Sequence, residues 1–561
     1  MRKQISFLVL FLAMFFTGVA SAEPTPIITV NELKTGMHGI AKTVIKGATI
    51  ETFDVEILGV TGSESEGHSI LIKASGPLIE RSGGIAQGMS GSPVYINGRL
   101  AGAVAYGKAF SDPNYCFLTP IEEMLKMFEP NDPRPSYFLP KNTSLMVSGF
   151  SKAGLEYLSK KLSPFDLQPL AVPTGQKEEL NNVTLEPGSS IGVELVRGDM
   201  RLGAIGTVTW MDEAGRILAF GHPFMKRGAT DYFMTNAWIF ASIPNVESSY
   251  KVGALGKSVG KITQDRSAGI AGQLGETPKI IPLFISVTDI DRGLHKTAAV
   301  QFVTDEALVP PLVDAICYNS VETAIDRAGG GTARVSFRIT ARGEKSGELT
   351  VTRENMFYNP GDLAKAINGE IVYATDMLMR NKFEKTTIFD INVDIEASSE
   401  CGVSEITSVR AQNAVVKPGD KVAIDVDFLP YRGTKITKTF TFTVPKKQRS
   451  GKMSLIVRGG SSSAWLSAVL QNQQAGAVEE IMPEKKNLTD FIAGFNEFDA
   501  NNELIIDVLP PGMSGAQPVD EEENPLLAMR TLFKGTNAKK TYPMDFIING
   551  EAEITLTVED N

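Results

Sequence analysis

The sequence predicts a mainly β protein: a double β-barrel module, then an α+β domain and a β-sandwich-like C-terminal region. Short apolar runs separated by Gly, Asn and Asp turns fill residues 26–130 and 190–289. Helical periodicity dominates first after about residue 300, at Leu312–Asp326 and Leu363–Arg380. Alternation then returns over 404–460, where Val422, Ile424, Val426 and Phe428 line one strand face.

The N-terminus reads as a secretory signal over residues 1–22. Arg2 and Lys3 precede the apolar run Ile5–Phe16, and Ala20-Ser21-Ala22 supplies a small-residue cleavage site. The run is short for a membrane span, and Glu23-Pro24 follows where a stop-transfer pattern would be needed. No Cys stands at the cleavage site, and no later stretch is apolar enough to span a bilayer. The reading is therefore an exported chain, periplasmic or extracellular, without stable membrane insertion once the signal is cleaved. Removing Arg2 and Lys3 takes the formal charge from −10 to −12. An acidic surface without basic runs argues against nucleic acid as a partner. Cys116, Cys317 and Cys401 allow at most one disulfide and lack metal-ligand spacing, so the fold must rest on hydrophobic cores. Neither a metal nor a cofactor is expected. Gly329-Gly330-Gly331 lacks the Lys-Ser/Thr of a phosphate loop and reads as a flexible turn.

Taken in order, residues 23–135 form the first barrel half. Its clearest signal is Val94-Tyr95-Ile96, Asn97-Gly98, then Leu100–Val104, a hairpin whose two turn residues both take positive φ. Thr119 as N-cap, Pro120 at the first helical position and Glu122 predict a short helix, and Asn131-Asp132-Pro133-Arg134-Pro135 breaks the chain. Residues 136–189 read as a connector with one helix near Lys152–Leu162. Residues 190–300 form the second half, with strands at Ile191–Val196, Gly203–Met211, Arg216–Phe220 and Ile280–Val287. The turn Asp212–Gly215 makes a hairpin that delivers His222. An α+β domain at 301–403 and an immunoglobulin-like sandwich at 404–465 follow. A β-rich region at 466–561 closes on a hairpin, Phe546–Ile548, Asn549-Gly550, then Ile554, Leu556 and Val558.

The chemistry concentrates in Gly83-Gly84-Ile85-Ala86-Gln87-Gly88-Met89-Ser90-Gly91-Ser92-Pro93. A serine hydroxyl attacks only when a base takes its proton and donors receive the developing oxyanion. Glycines around Ser90 let the backbone turn sharply, so that the Gly88 and Ser90 amides converge as an oxyanion hole. Ser92 is the rival nucleophile, but Pro93 holds it in an extended conformation. A Gly/Ser-rich turn that merely caps a hairpin has the same composition. Four histidines are available as base: His38 and His68 share the Ser90 half, His295 sits in a polar run, and His222 follows an apolar strand in the opposite half.

These residues resemble the signature of the stage IV sporulation protein B (SpoIVB) family of serine peptidases. Gly206-Thr207-Val208-Thr209-Trp210 through Ala219-Phe220-Gly221-His222 is similar to that family's strand-hairpin-Gly-His block. The resemblance covers roughly residues 26–290. It implies a trypsin-like fold, peptide-bond hydrolysis without a cofactor, and a Ser/His pair at Ser90 and His222. The sequence departs from the family in three ways. Its Ser block precedes its His block, Ser75 stands where the acidic partner is expected, and no PDZ-like domain or membrane anchor is seen. A triad is defined by geometry rather than chain order, so the reversal is compatible with activity. Asp231, beyond His222, is a substitute acid, and no acid at all is the other option. Two functions follow from different classes: an exported serine endopeptidase cleaving a protein substrate or itself, and a weakly active or inactive peptidase-fold scaffold that binds peptide in the cell envelope.

Overall fold

The computed structural model describes residues 25–560, apart from 64–66, 108–109, 130–142, 176–179, 181–182, 328, 461–486 and 510–537. The predicted signal and the break at Asn131–Pro135 lie outside the described residues. Strands dominate, and two rings of strands form the N-terminal half.

The first ring holds β1 (His38–Thr43), β2 (Glu51–Ser63), β3 (Gly67–Ser75), β4 (Pro93–Ile96), β5 (Arg99–Tyr106) and β6 (Tyr115–Pro120). It closes because β1 pairs with both β2 and β4. Its interior is sealed by Ile57, Ile70, Ile72, Val94, Ile96 and Leu118, all fully buried. The β4–β5 turn is as predicted, with φ of 50° at Asn97 and 77° at Gly98. The expected N-cap at Thr119 is not formed: Thr119 belongs to β6, the short helix Ile121–Leu125 is capped at Pro120, and the Thr119 hydroxyl instead donates to Gly221 O at 2.5 Å. A buried hydroxyl gains more from that cross-barrel carbonyl than from a short helix end.

The second ring runs β9 (Ser190–Gly198), β12 (Gly228–Ile243), β13 (Tyr250–Arg266), β14 (Gly269–Leu274), β11 (Arg216–Ala219) and β10 (Arg201–Met211), closing where β10 returns to β9. The connector is partly built into it. After β7 (Thr143–Ser148), which pairs with β10, come the helix Lys152–Leu162 and β8 (Leu167–Ala171), which lies parallel to β7.

Outward from β9 the sheet continues through β16 (Leu294–Val303), β15 (Ile280–Asp289), β19 (Thr386–Ser398), β17 (Gly331–Gly343) and β18 (Gly347–Asn359). The strand expected to complete the barrel near 280–287 is β15, and it pairs with β16 and, in parallel, with β19. It therefore belongs to the α+β layer. The helix Val309–Ile325, buried almost throughout, packs on β15 and β16. The periodic stretch 363–380 forms two helices, Leu363–Ala366 and Gly369–Met379, because Asn368 turns its amide to Ala364 O and to Asp314.

The C-terminal unit is a sandwich of two sheets. One holds β20 (Val403–Ala411), β22 (Lys421–Pro430), β23 (Ile436–Thr443) and β27 (Ile547–Asn549). The other holds β21 (Val415–Val416), β24 (Gly451–Gly459), β25 (Glu503–Val508), β26 (Lys540–Pro543) and β28 (Glu551–Val558). Segments 404–465 and 466–561 thus share one core. The predicted final hairpin does not form: β27 pairs in parallel with β20, while β28 pairs with β24 in the opposing sheet. Gly550 still turns the chain at φ 85°, but burial of both Ile547 and Ile548 draws β27 into the facing layer. Phe428 lies fully buried at the sandwich centre, edge-on to Phe440 and Phe546. Truncating it to Ala is expected to cost about 3–5 kcal/mol, read as an earlier urea transition by circular dichroism.

Candidate functional site

The Ser90 turn starts where the helix Pro77–Ser82 ends on Gly83 in the left-handed conformation. Met89 is the turn's anchor, its side chain fully buried in the first barrel core. Ser90, the next residue, is partly exposed, whereas Ser92 is fully buried. Ser90 is therefore open to solvent and Ser92 is not.

Three carbonyls of the turn are held by β10 of the other barrel. Thr207 Oγ1 donates to Gly88 O at 3.1 Å, Thr207 N to Ser90 O at 2.8 Å, and Thr209 Oγ1 to Gly91 O at 2.7 Å. The fit is close: a Cβ on Gly91, at φ 94°, would lie 2.0 Å from Thr207 O and 2.5 Å from Phe220 N. Most of the turn's amides are also occupied. Gly83, Gly84, Ile85, Gln87, Met89, Gly91 and Ser92 donate to backbone carbonyls, and Ala86 N faces Met89 Sδ at 3.5 Å. Between Gly83 and Ser92, the amides of Gly88 and Ser90 have no acceptor among the described residues. These are the two amides that sequence reasoning assigned to an oxyanion hole.

His222 belongs to the second barrel and follows a segment, Phe220-Gly221, that packs beside the Ser90 turn. Phe220, at φ 68°, and Gly221, at φ 67°, turn the chain out of β11 through a left-handed pair. Positive φ at a buried aromatic residue is strained, and such strain persists where surrounding packing imposes it. Gly206 supplies that packing, since a Cβ there would lie 2.3 Å from the Phe220 ring. The chains converge on one carbonyl: Gly91 N donates to Val104 O at 2.7 Å, and a Cβ on Gly221 would lie 3.0 Å from the same oxygen. Ser90 and His222 are the neighbours of these two glycines.

His222 is buried beside the Phe220 ring, with Nδ1 2.8 Å from Pro223 O. A carbonyl only accepts, so Nδ1 carries the proton and the neutral ring has its lone pair on Nε2. Burial pulls the imidazole pKa below its ordinary value, and the Pro223 carbonyl partly opposes this. Asp231 is engaged elsewhere: its carboxylate accepts from Lys279 N at 2.8 Å, and Lys261 Nζ lies 3.9 Å away. Ser75 is exposed at the end of β3, opposite Asp54. His38 is exposed on β1, His68 lies on β3 opposite Gly62, and His295 on β16 meets Thr288 Oγ1 at 3.1 Å.

Two further residues shape the site without a sequence motif to announce them. Asp265 on β13 is fully buried, and its carboxylate accepts from the amides of Phe224, Met225 and Arg227, at 2.7, 2.8 and 3.1 Å. It fixes the loop that follows His222. Burial raises its pKa, against those backbone donors. Lys251, also on β13, is fully buried, its stem against Gly88 and its amine donating to Thr43 Oγ1 at 3.0 Å. Burial pushes this amine down to about 7. A buried lysine in a long polar-apolar strand is not distinguishable by pattern from the exposed lysines around it. A polar cleft of about 680 Å³ lies elsewhere, between the β17–β19 face and the C-terminal unit, and no histidine lines it.

The family model of the SpoIVB peptidase, S55, matches residues 13–125, about a fifth of the chain, and supports a SpoIVB-type peptidase domain there. The matched stretch contains the Ser90 turn and ends before His222. Searches of curated proteins and of solved structures return no match.

Replacing Asp265 with Ala leaves the buried Phe224 amide and the part-buried Met225 and Arg227 amides without their acceptor and is expected to cost about 2–3 kcal/mol, measured by thermal unfolding. Lys251 gives a pH signature. Its pKa falls from 10.5 to about 7 on folding, so between those values the unfolded chain binds more protons and stability rises with pH. Its neighbours Thr43, Gln87, Gly88 and Ser242 carry no charge. The difference in unfolding free energy, Lys251→Met minus native, is expected to be most favourable near pH 7 and to shrink towards pH 10. A difference that does not vary with pH would contradict it.

Proposed function

With a SpoIVB-type domain as premise, we propose that the chain is an exported serine endopeptidase that hydrolyses peptide bonds through Ser90 and His222. The observation that carries this reading is the pair of unoccupied amides, Gly88 and Ser90, beside a partly exposed serine hydroxyl in a turn whose other amides are engaged. Ser90 Oγ attacks the scissile carbonyl carbon as His222 Nε2 takes its proton. The C=O electrons move onto oxygen, and the two amides hold that oxyanion. On collapse, imidazolium gives the proton to the leaving amine, an acyl-serine forms, and water activated by the same imidazole releases it.

Pro223 O orients the ring but, being neutral, stabilises imidazolium less than a carboxylate would. That arrangement favours a base that stays neutral and is modest in strength. It also keeps the scaffold alternative concrete: a folded cleft that binds peptide without turning it over.

The mature protein is expected to react with a fluorophosphonate probe. Ser90→Ala should abolish labelling, and His222→Ala should slow it by about a thousandfold or more. Since burial lowers the His222 pKa, the labelling rate should hold its plateau below pH 6.5, the ordinary histidine value, before the acid limb begins. A native protein that is folded by circular dichroism yet unlabelled would favour the scaffold.

A further inference from the structure

We propose that Lys251 is a positioning residue that aims the Gly88 amide, by pinning the Gln87–Ser90 turn of the first barrel to the β12–β13 hairpin of the second; the inference rests on the serine-peptidase reading above. The turn and the hairpin meet as a short parallel bridge at Gln87 and Tyr250. Gln87 N donates to Ser249 O at 2.7 Å, and Lys251 N donates to Gln87 O at 2.9 Å. Ser249 Oγ extends the bridge by donating to Gly83 O at 2.8 Å.

Peptide planarity converts this bridge into an aim. In a trans peptide the N–H points opposite the carbonyl of the preceding residue. The Gln87 carbonyl is fixed by Lys251 N, so the direction of the Gly88 N–H is fixed as well. The side chain then holds Gly88 from behind. A Cβ on Gly88, at φ 91°, would lie 3.1 to 3.3 Å from Cδ, Cβ and Cγ of Lys251. At the end of that stem the amine donates to Thr43 Oγ1 on β1, itself fully buried. One residue thus grips the turn by its main chain, walls it with its stem and anchors across the barrel interface with its head.

The burial of an amine calls for such a role. A methionine of similar length would fill the same space without desolvating a cationic group. What the amine adds is a directional bond to the other barrel, and the benefit falls on the geometry of Gly88 rather than on stability. Burial that lowers the amine's proton affinity supports this, because a neutral amine donates to Thr43 without a buried charge.

The test separates positioning from structure. Fluorophosphonate labelling rates are measured for native protein, Lys251→Met, Thr43→Val, the double variant and Thr43→Ser, each with a melting curve. Lys251→Met and Thr43→Val should each label about tenfold more slowly. The double variant should be no slower than either single one, and Thr43→Ser should stay close to native. Lys251→Met should melt no lower than native, which a merely structural lysine would not allow. Hydrogen exchange of peptides spanning 83–92 supplies a readout that needs no activity, and exchange there should quicken in both single variants. Native labelling and unchanged 83–92 exchange in Lys251→Met would overturn the inference. If native protein is not labelled at all, the peptidase reading fails. Exchange then decides alone whether Lys251 holds the turn: faster exchange supports the pin and unchanged exchange removes it.

Discussion

The contact on which the rest of the site depends is the grip of β10 on the Ser90 turn. Thr207 and Thr209 take the carbonyls of Gly88, Ser90 and Gly91 across the barrel interface. A turn held by its own residues alone would have several glycine-permitted shapes of similar energy. Held from outside at three oxygens within four residues, it has one. The clearance at Gly91 leaves no room for a side chain, so the interface needs glycine there against the main chain of Thr207 and Phe220. The same strand, through Gly206, presses on Phe220 and so sets the exit direction of His222. One strand therefore orders both halves of the proposed pair.

Electrostatics then selects which protonation states are available. His222 and Lys251 are both cationic in water at low pH, and burial disfavours the charge on each. Asp265, the buried carboxylate in this region, is turned toward backbone amides of the 224–227 loop. On the reading proposed above, the base is oriented by the Pro223 carbonyl, and charge develops in the transition state where the Gly88 and Ser90 amides would meet it. That places the catalytic burden on preorganised hydrogen bonds rather than on paired charges.

What could be read from sequence was whatever is local. The Asn97-Gly98 turn, the Lys152–Leu162 helix and the glycine-bracketed serine each carry their physics within a few residues, and each was legible. Thr119 and Asn549-Gly550 carried equally good local signals, for a cap and for a hairpin, and both were overridden by distant partners: Gly221 O in one case, the facing sheet in the other. β15 has the composition of a barrel strand, and which neighbour it pairs with is decided by β19, more than a hundred residues later. Asp265 and Lys251 were invisible for a related reason. Their importance lies in being buried against one turn, and burial of a single polar residue leaves no periodic trace.

An arrangement with the Ser90 turn ahead of His222 in the chain is compatible with the same geometry. Each barrel closes on itself, so each presents its loop to the interface whatever the order of synthesis. Chain order matters only to the connector, which must carry the backbone from β6 to β9. It does so by laying β7 against β10 and β8 beside β7, on the outer side of the strand that grips the Ser90 turn. The link between the barrels is thus spent on bracing the strand that both site loops lean on. The chain order found here places that buttress against β10, where the proposed chemistry needs stiffness.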